Sequence, residues 1–358
     1  MGASKYERES YRLSPRGGAP MNVMRKNLTI SGLWGALLLS GLWAGGCDCS
    51  EGDGASGEGD GMRTIAVIPK GTTHEFWKSI HAGAIKAGRE LSVEILWQGP
   101  LREDDRSDQV RVVEDVISRG VDAIVLAPLD DAALVPPARE AVAEGIPVLI
   151  IDSDLDWDGR VSFVATDNME GGRLAARRLG ELLGGEGKVL MMRYQEGSAS
   201  TMRREEGFLE AMRADFPNIE LVSTNQYGGA TTESAFATGE GLLVSHEDLD
   251  GIFTPNESTT FGMLRALRDA DRAGTVKLVG FDSSASLARA LSEGHVHGLV
   301  LQQPFRMGEL GVRTAVAHLE GREVDARIDT GVTVVTVDNM DDPEIRDLLV
   351  PDLSEWLD

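Results

Sequence analysis

The sequence predicts an α/β fold of two similar lobes, each a parallel sheet with helices on both faces. Three observations carry this. From Arg63 onward, short runs rich in Val, Ile and Leu alternate with amphipathic stretches, the pattern of parallel strands joined by crossover helices. The series occurs twice, with a turn-rich stretch between the two halves. Several runs end in a polar, aromatic or charged residue where a helix is about to begin. In open parallel sheets ligands bind outside these carboxyl ends, so the end residues should line one crevice between the lobes.

The first run, Thr64-Ile-Ala-Val-Ile-Pro-Lys70, leads through His74-Glu-Phe-Trp77 into a helix expected over Glu75–Leu91. Helices over 109–119 and 132–144 flank Ala123-Ile-Val-Leu-Ala-Pro128, and Val148-Leu-Ile-Ile-Asp152 follows. Asp154-Leu-Asp-Trp-Asp-Gly159 turns the chain into a strand, Val161-Ser-Phe-Val-Ala-Thr166. The second series starts with a helix opened by Gly171-Gly172, reaching Leu183 and stopped by Gly184-Gly-Glu-Gly187. Strands over 188–192 and 220–223 enclose a helix over 198–213. Then come Gly251-Ile-Phe-Thr-Pro-Asn256, Val276-Lys-Leu-Val-Gly-Phe-Asp282 and Gly298-Leu-Val-Leu-Gln302. The Gly-Gly pairs read as close packing and tight turns, because no phosphate-loop motif contains them.

Ahead of the body, Arg25-Lys26 precede an uncharged stretch from Leu28 to Trp43, and Ala44-Gly-Gly-Cys47 closes it. A basic flank, an apolar core and small residues before a break have the anatomy of an export signal. Gly-Gly-Cys resembles a lipoprotein processing site with Cys47 as the lipidated residue, although Ala44 stands where that motif usually has leucine. A plain cleaved signal and an uncleaved anchor are the other readings, since the stretch is about long enough to span a bilayer. All three place the body outside the cytoplasmic membrane. Residues 47–62 are Gly-, Ser- and acid-rich and read as a flexible tether.

The 358 residues suffice for two domains, and 42% hydrophobic with 26% charged content is ordinary for a globular protein. A formal net charge of -23 opposes nucleic-acid binding. The only cysteines, Cys47 and Cys49, follow the leader, so the body has neither disulfide nor thiolate chemistry. His295 and His297 lack a third metal ligand, no Gly-x-Ser-x-Gly elbow occurs, and no acid–base pair stands out. No metal, cofactor or enzymatic activity is expected. The acidic run 103–108 reads as a solvated helix start.

Several motifs stand in order: Phe76-Trp-Lys-Ser-Ile-His-Ala-Gly-Ala84, Ala127-Pro-Leu-Asp130, Leu149-Ile-Ile-Asp152, Val164-Ala-Thr-Asp-Asn168, Arg204-Glu-Glu-Gly-Phe208, Asn256, Gly280-Phe-Asp282 and Gln302. In this set, from Arg63 to about Val335, the chain resembles the ribose-binding, type I family of periplasmic sugar-binding proteins that serve ABC importers. The resemblance implies two Rossmann-like lobes joined by three hinge crossings, near Thr166–Asp167, Gln303–Pro304 and Gly331. The lobes would comprise 63–166 plus 303–330 and 167–302 plus 331–358, after a leader over 1–46. The implied ligand is a small polyhydroxylated molecule, a pentose, hexose or deoxysugar, delivered by a monomer to a permease and its ATPase. Some relatives instead present their ligand to a signalling receptor.

The implied site residues suit that chemistry. Phe76 and Trp77 offer aromatic platforms for sugar C–H faces, although core packing is the commoner fate of an aromatic. Asp152 and Asp282, at strand ends in opposite lobes, can each accept two hydroxyl protons; helix capping is their plainer reading. Arg204 can bracket a ring oxygen and a hydroxyl, and Asn256 and Gln302 both donate and accept. His74 stands near the cleft, and Tyr227 occupies about the place of a second-lobe aromatic. Lys70, Ala127 and Ser153 depart from the ribose pattern. Lys70 with Asp152-Ser-Asp154 instead resembles binders of rhamnose-like sugars and of the furanosyl quorum signal, and a carboxylate ligand on Lys70 and Arg204 also stays open.

Overall fold

The computed structural model describes residues 62–357. The leader, Cys47 and nearly all of the tether lie outside these residues. The first sheet contains Thr64–Ile68 (β1), Glu94–Trp97 (β2), Ala123–Leu126 (β3), Val148–Ile151 (β4), Phe163–Ala165 (β5) and Arg327–Asp329 (β11). The second contains Glu186–Arg193 (β6), Asn218–Tyr227 (β7), Gly251–Phe253 (β8), Lys277–Phe281 (β9), Gly298–Leu301 (β10) and Thr333–Val335 (β12). Their orders, β2-β1-β3-β4-β5-β11 and β7-β6-β8-β9-β10-β12, are the same arrangement repeated. The first sheet is parallel throughout, whereas β12 runs antiparallel to β10.

Both faces of each sheet are covered, which explains why the central strands are continuous apolar runs rather than alternating ones. In the first lobe Glu75–Leu91 (α1) and Pro304–Leu319 (α9) cover one face, Arg106–Arg119 (α2) and Val135–Ala143 (α3) the other. In the second, Asn168–Leu182 (α4) and Ala199–Asp215 (α5) lie opposite Thr232–Ser245 (α6), Glu257–Asp269 (α7), Ala285–Ser292 (α8) and Pro343–Leu349 (α10). The chain crosses between sheets after β5, after β10 and between β11 and β12. Beyond α10 the tail returns to the first lobe, where Trp356 lies beside Phe305 and Arg89 caps its ring at 5.3 Å.

Local chemistry sets the boundaries. Helix α2 begins three residues before the expected 109, because Asp105 caps it by accepting from the Asp108 N–H at 2.9 Å. The close approach of α4 and α5 requires glycine at Gly172, where a Cβ would lie 2.0 Å from the Arg204 carbonyl oxygen. Strand β2 escapes the apolar-run criterion because it is an edge strand, Glu-Ile-Leu-Trp, with every residue partly exposed. A buried amide ties two strand ends together: Gln109 donates to the carbonyls of Pro69 and Ala127 at 2.9 and 2.8 Å. This fixes the backbone on either side of the point where the strand order reverses, between β1 and β3, the place at which open sheets receive ligands.

Candidate ligand-binding site

The carboxyl ends of the two sheets face each other across a closed cleft. Asp152 follows β4 and Asp282 follows β9, equivalent places in the two sheets, and both are buried. Both have left-handed backbones, φ 60° and 65°, a conformation that aspartate tolerates better than most residues and that tends to persist at functional sites. Neither caps a helix; Ser284 performs that task for α8.

Lys70, just beyond β1, lies 3.0 Å from Asp152 Oδ2. Its ammonium also donates across the cleft to Ser200 Oγ at 2.9 Å and Ser198 Oγ at 3.2 Å. Asp282 accepts from Gln302 Nε2 at 2.7 Å, leaving Gln302 Oε1 buried without a hydrogen bond. Burial pushes the Asp282 carboxyl above its usual range, with Arg204 opposing.

Arg204 stands between the two aspartates, 3.6 Å from Asp282 and 4.0 Å from Asp152. Its guanidinium is held on three sides: Nε donates to Asn168 Oδ1 at 2.8 Å, Nη1 donates to the Pro255 carbonyl at 2.9 Å, and the Phe281 ring lies 4.0 Å beneath. A fork fixed in this way loses little freedom when it binds a partner, and its charge is stabilised by the aromatic face.

Phe76 and Trp77 meet edge to face, with centroids 4.9 Å apart. Both line the cavity while also packing in the first-lobe core, so the platform and packing roles coexist. His74 precedes α1, and its Nδ1 lies 2.6 Å from Glu103 Oε1. Here the sequence reading needs correction: Glu103 is not solvated but 7% exposed, and it accepts from Trp77 Nε1 at 2.7 Å and from Tyr194 Oη at 2.6 Å. Burial works against both charges of the His74–Glu103 pair, yet their mutual attraction prevails. His74 is raised to about 9. Glu103, aided by Lys70 and the Tyr194 hydroxyl, is lowered to about 2.

Tyr227 is a second correction. It ends the edge strand β7, outside the cavity, with Arg193 4.7 Å above its ring. The second-lobe aromatic at the cavity is Tyr194, at the end of the inner strand β6; extending that strand past 192 would have found it by the same strand-end rule. Asn256 lines the cavity but spends its amide oxygen capping α7, accepting from the Thr259 N–H at 3.3 Å and from Thr259 Oγ1 at 2.6 Å. Glu257, which the sequence did not single out, lines the cavity as well. Burial raises its carboxyl to about 7, with His74 opposing and Asp282 adding.

Lys70, His74, Phe76, Trp77, Asp152, Arg204, Asn256, Asp282 and Gln302 thus converge, joined by Glu103, Tyr194, Ser200, Thr201 and Glu257, around a small cavity between the shut lobes. A larger hollow between Asp154 and Glu206 is walled chiefly by exposed and half-buried surface groups, and lacks this convergence of buried charge. His295 and His297 lie at the opposite end of β10, where His297 accepts from the Leu278 N–H.

The family described as the periplasmic binding protein domain matches residues 65–323. A D-ribose/D-allose-binding protein of Pseudomonas aeruginosa is 33% identical over 284 residues, 76% of this chain and 88% of the relative. A carbohydrate transporter solute-binding protein from Agrobacterium radiobacter, solved with D-arabinose, superposes with a TM-score of 0.79 at 33% identity, covering 81% of this chain and 100% of the other. An ABC transporter solute-binding protein from Agrobacterium vitis, solved with D-fucose, gives 0.77 at 39% identity over 80% and 99% of the two chains. With the repeated sheets and the cleft between them, these similarities place the chain in the ribose-binding family of type I periplasmic sugar-binding proteins.

Proposed function

We propose that this protein captures a neutral monosaccharide between its lobes and delivers it to an ABC importer. The observation that carries the reading is the meeting of Asp152 and Asp282, from opposite lobes, on either side of the immobilised Arg204. Hydroxyls would bridge these groups while a C–H face lies against Phe76 or Trp77. The pairing of the cavity charges speaks against a sugar acid: Lys70 is paired with Asp152 and His74 with Glu103, and Arg204 is flanked by Asp152 and Asp282. A ligand carboxylate that reached Arg204 would lie beside both aspartates. The relatives that carry or bind D-ribose, D-allose, D-arabinose and D-fucose support the same class.

The hinges would be the three crossings near Thr166–Asp167, Gln303–Pro304 and Gly331. Ligand would favour the closed form because both sets of groups engage only there. Turnover is not part of this reading: in the serine–lysine contact at the cavity, Ser200 with Lys70, the ammonium is the donor and is already paired with Asp152. Lipidation at Cys47 would hold the protein, as a monomer, near its permease.

A thermal-shift panel of pentoses, hexoses, deoxysugars, polyols and sugar acids tests the proposal. A ligand at a hundredfold excess over Kd adds about 2.7 kcal/mol of stability, so a neutral sugar should give a clear shift. A response confined to sugar acids, or none across the panel, would overturn it.

A further inference from the structure

The helix that follows the first strand of each lobe, α1 after β1 and α5 after β6, begins at the cleft, and neither is capped by its own N-cap side chain. Helix α1 starts after His74, which makes no side-chain cap because its imidazole is engaged by Glu103. Helix α5 starts after Ser198, whose hydroxyl accepts from Lys70 rather than from its own helix. By contrast α2, α4, α6, α7 and α8 are all capped by the side chain of the preceding residue. The first N–H groups of a helix have no partner within it and need one from outside.

For α1 and α5 the partner comes from the opposite lobe. The Phe76 N–H, second in α1, donates to Glu257 Oε2 at 3.4 Å. The Ser200 N–H, second in α5, donates to Ser153 Oγ at 3.1 Å. Glu257 is free to reach across because Asn256 already caps α7. Ser153 is fully buried beside Asp152. The two contacts are reciprocal: each lobe satisfies the second amide of the helix that follows the other lobe's first strand. Both require the lobes to be shut, because donor and acceptor belong to different sheets.

We propose that Ser153 and Glu257 are reciprocal closure latches, positioning residues that hold the shut form by capping the opposite lobe's helix and so set how slowly ligand leaves. This rests on the proposed closure around a ligand, but it makes a separate demand, that a substitution in one lobe be felt at a helix start in the other.

The experiment is amide exchange at 75–78 and 200–203 in the full-length chain, without sugar and with saturating D-arabinose, paired with stopped-flow release of the same sugar. In the wild type both helix starts are protected in the shut form. Glu257→Ala should free the α1 start while leaving the α5 start protected, and Ser153→Ala should do the reverse. Each should accelerate release roughly tenfold or less with the association rate unchanged. Glu257→Gln keeps a carbonyl acceptor and should restore α1 protection; Glu257→Asp, one methylene short, should not.

Exchange in the variants equal to wild type, or loss at both starts from either substitution, would overturn the latch. So would wild-type helix starts that exchange freely with and without sugar. If D-arabinose neither binds nor protects, but the crossed pattern appears in the sugar-free protein, the latch stands and that sugar is excluded.

Discussion

Asp152 and Asp282 occupy equivalent places in the two lobes, beyond equivalent strands and with the same left-handed backbone, yet their surroundings differ. Asp152 faces a lysine ammonium at 3.0 Å. Asp282 faces a neutral amide at 2.7 Å, with Arg204 farther off at 3.6 Å. Repetition of the fold supplies the carboxylate and its orientation; the residue at the end of another strand of the same sheet decides its charge balance. The first lobe therefore holds its aspartate within an ion pair, while the second holds one whose ionised form is discouraged by burial. In this account the first-lobe aspartate is structural as well as ligand-binding, and the second-lobe aspartate is spared for ligand.

The largest expected effect follows from that asymmetry. Asp152→Ala leaves the Lys70 ammonium buried without its carboxylate, which costs about 3–5 kcal/mol of stability, visible as a large fall in Tm. Asp282→Ala strands the Gln302 amide and takes away the nearer carboxylate of Arg204, but that guanidinium keeps Asn168, the Pro255 carbonyl and the Phe281 face, so the cost should be about 1–3 kcal/mol. Equal losses would break the comparison. Replacing the pair together, Lys70→Met with Asp152→Leu, should recover most of the stability but not sugar binding, since a buried ion pair often contributes little relative to apolar residues of similar volume.

Next come the devices that hold Arg204 between the aspartates. Arg204→Lys removes the fork bonded to Asn168 and Pro255, and calorimetry should record binding weakened by about 1.5–3 kcal/mol, the worth of a charge-assisted hydrogen bond. Gly172→Ala acts from behind, pushing against the Arg204 carbonyl. It should destabilise the second lobe by about 1–3 kcal/mol and weaken binding although Gly172 does not line the cavity.

The smallest effect is pH dependence at His74 and Glu103. His74 is raised to about 9, so its contribution is complete below its ordinary value of about 6.5 and fades as pH climbs through about 9. Glu103, lowered to about 2, contributes above its ordinary value of about 4.3 and fades as pH falls through about 2. The pair is thus at full strength near pH 5–6. His74→Gln should flatten the alkaline side of the Tm profile; an unchanged slope would show that other groups produce it.

Much of this was legible from strand ends. Lys70, Asp152, Asp282 and Gln302 were found because apolar runs stop where a sheet meets a cleft, and the lobes repeat one topology. Glu103 was hidden because its neighbours Asp104 and Asp105 are exposed, so local composition suggests a solvated turn and only the return of the chain beneath Trp77 buries it. Tyr227 misled because it rests on resemblance alone, in a stretch beyond the strand expected over 220–223; β7 runs on to it at the edge of the sheet, and strand order is not written in a local pattern. Glu257 carries no motif, and Ser153 stands out only within Asp152-Ser-Asp154; their partners are backbone amides 181 and 47 residues away.

The central claim, that aspartates from both lobes act on one neutral sugar, is tested most directly by calorimetric titration of wild type, Asp152→Asn and Asp282→Asn with the sugar giving the largest thermal shift. Each asparagine variant should weaken binding by tenfold or more while remaining folded. Wild-type affinity in either variant would contradict the claim, because that lobe's carboxylate would then contribute nothing to capture.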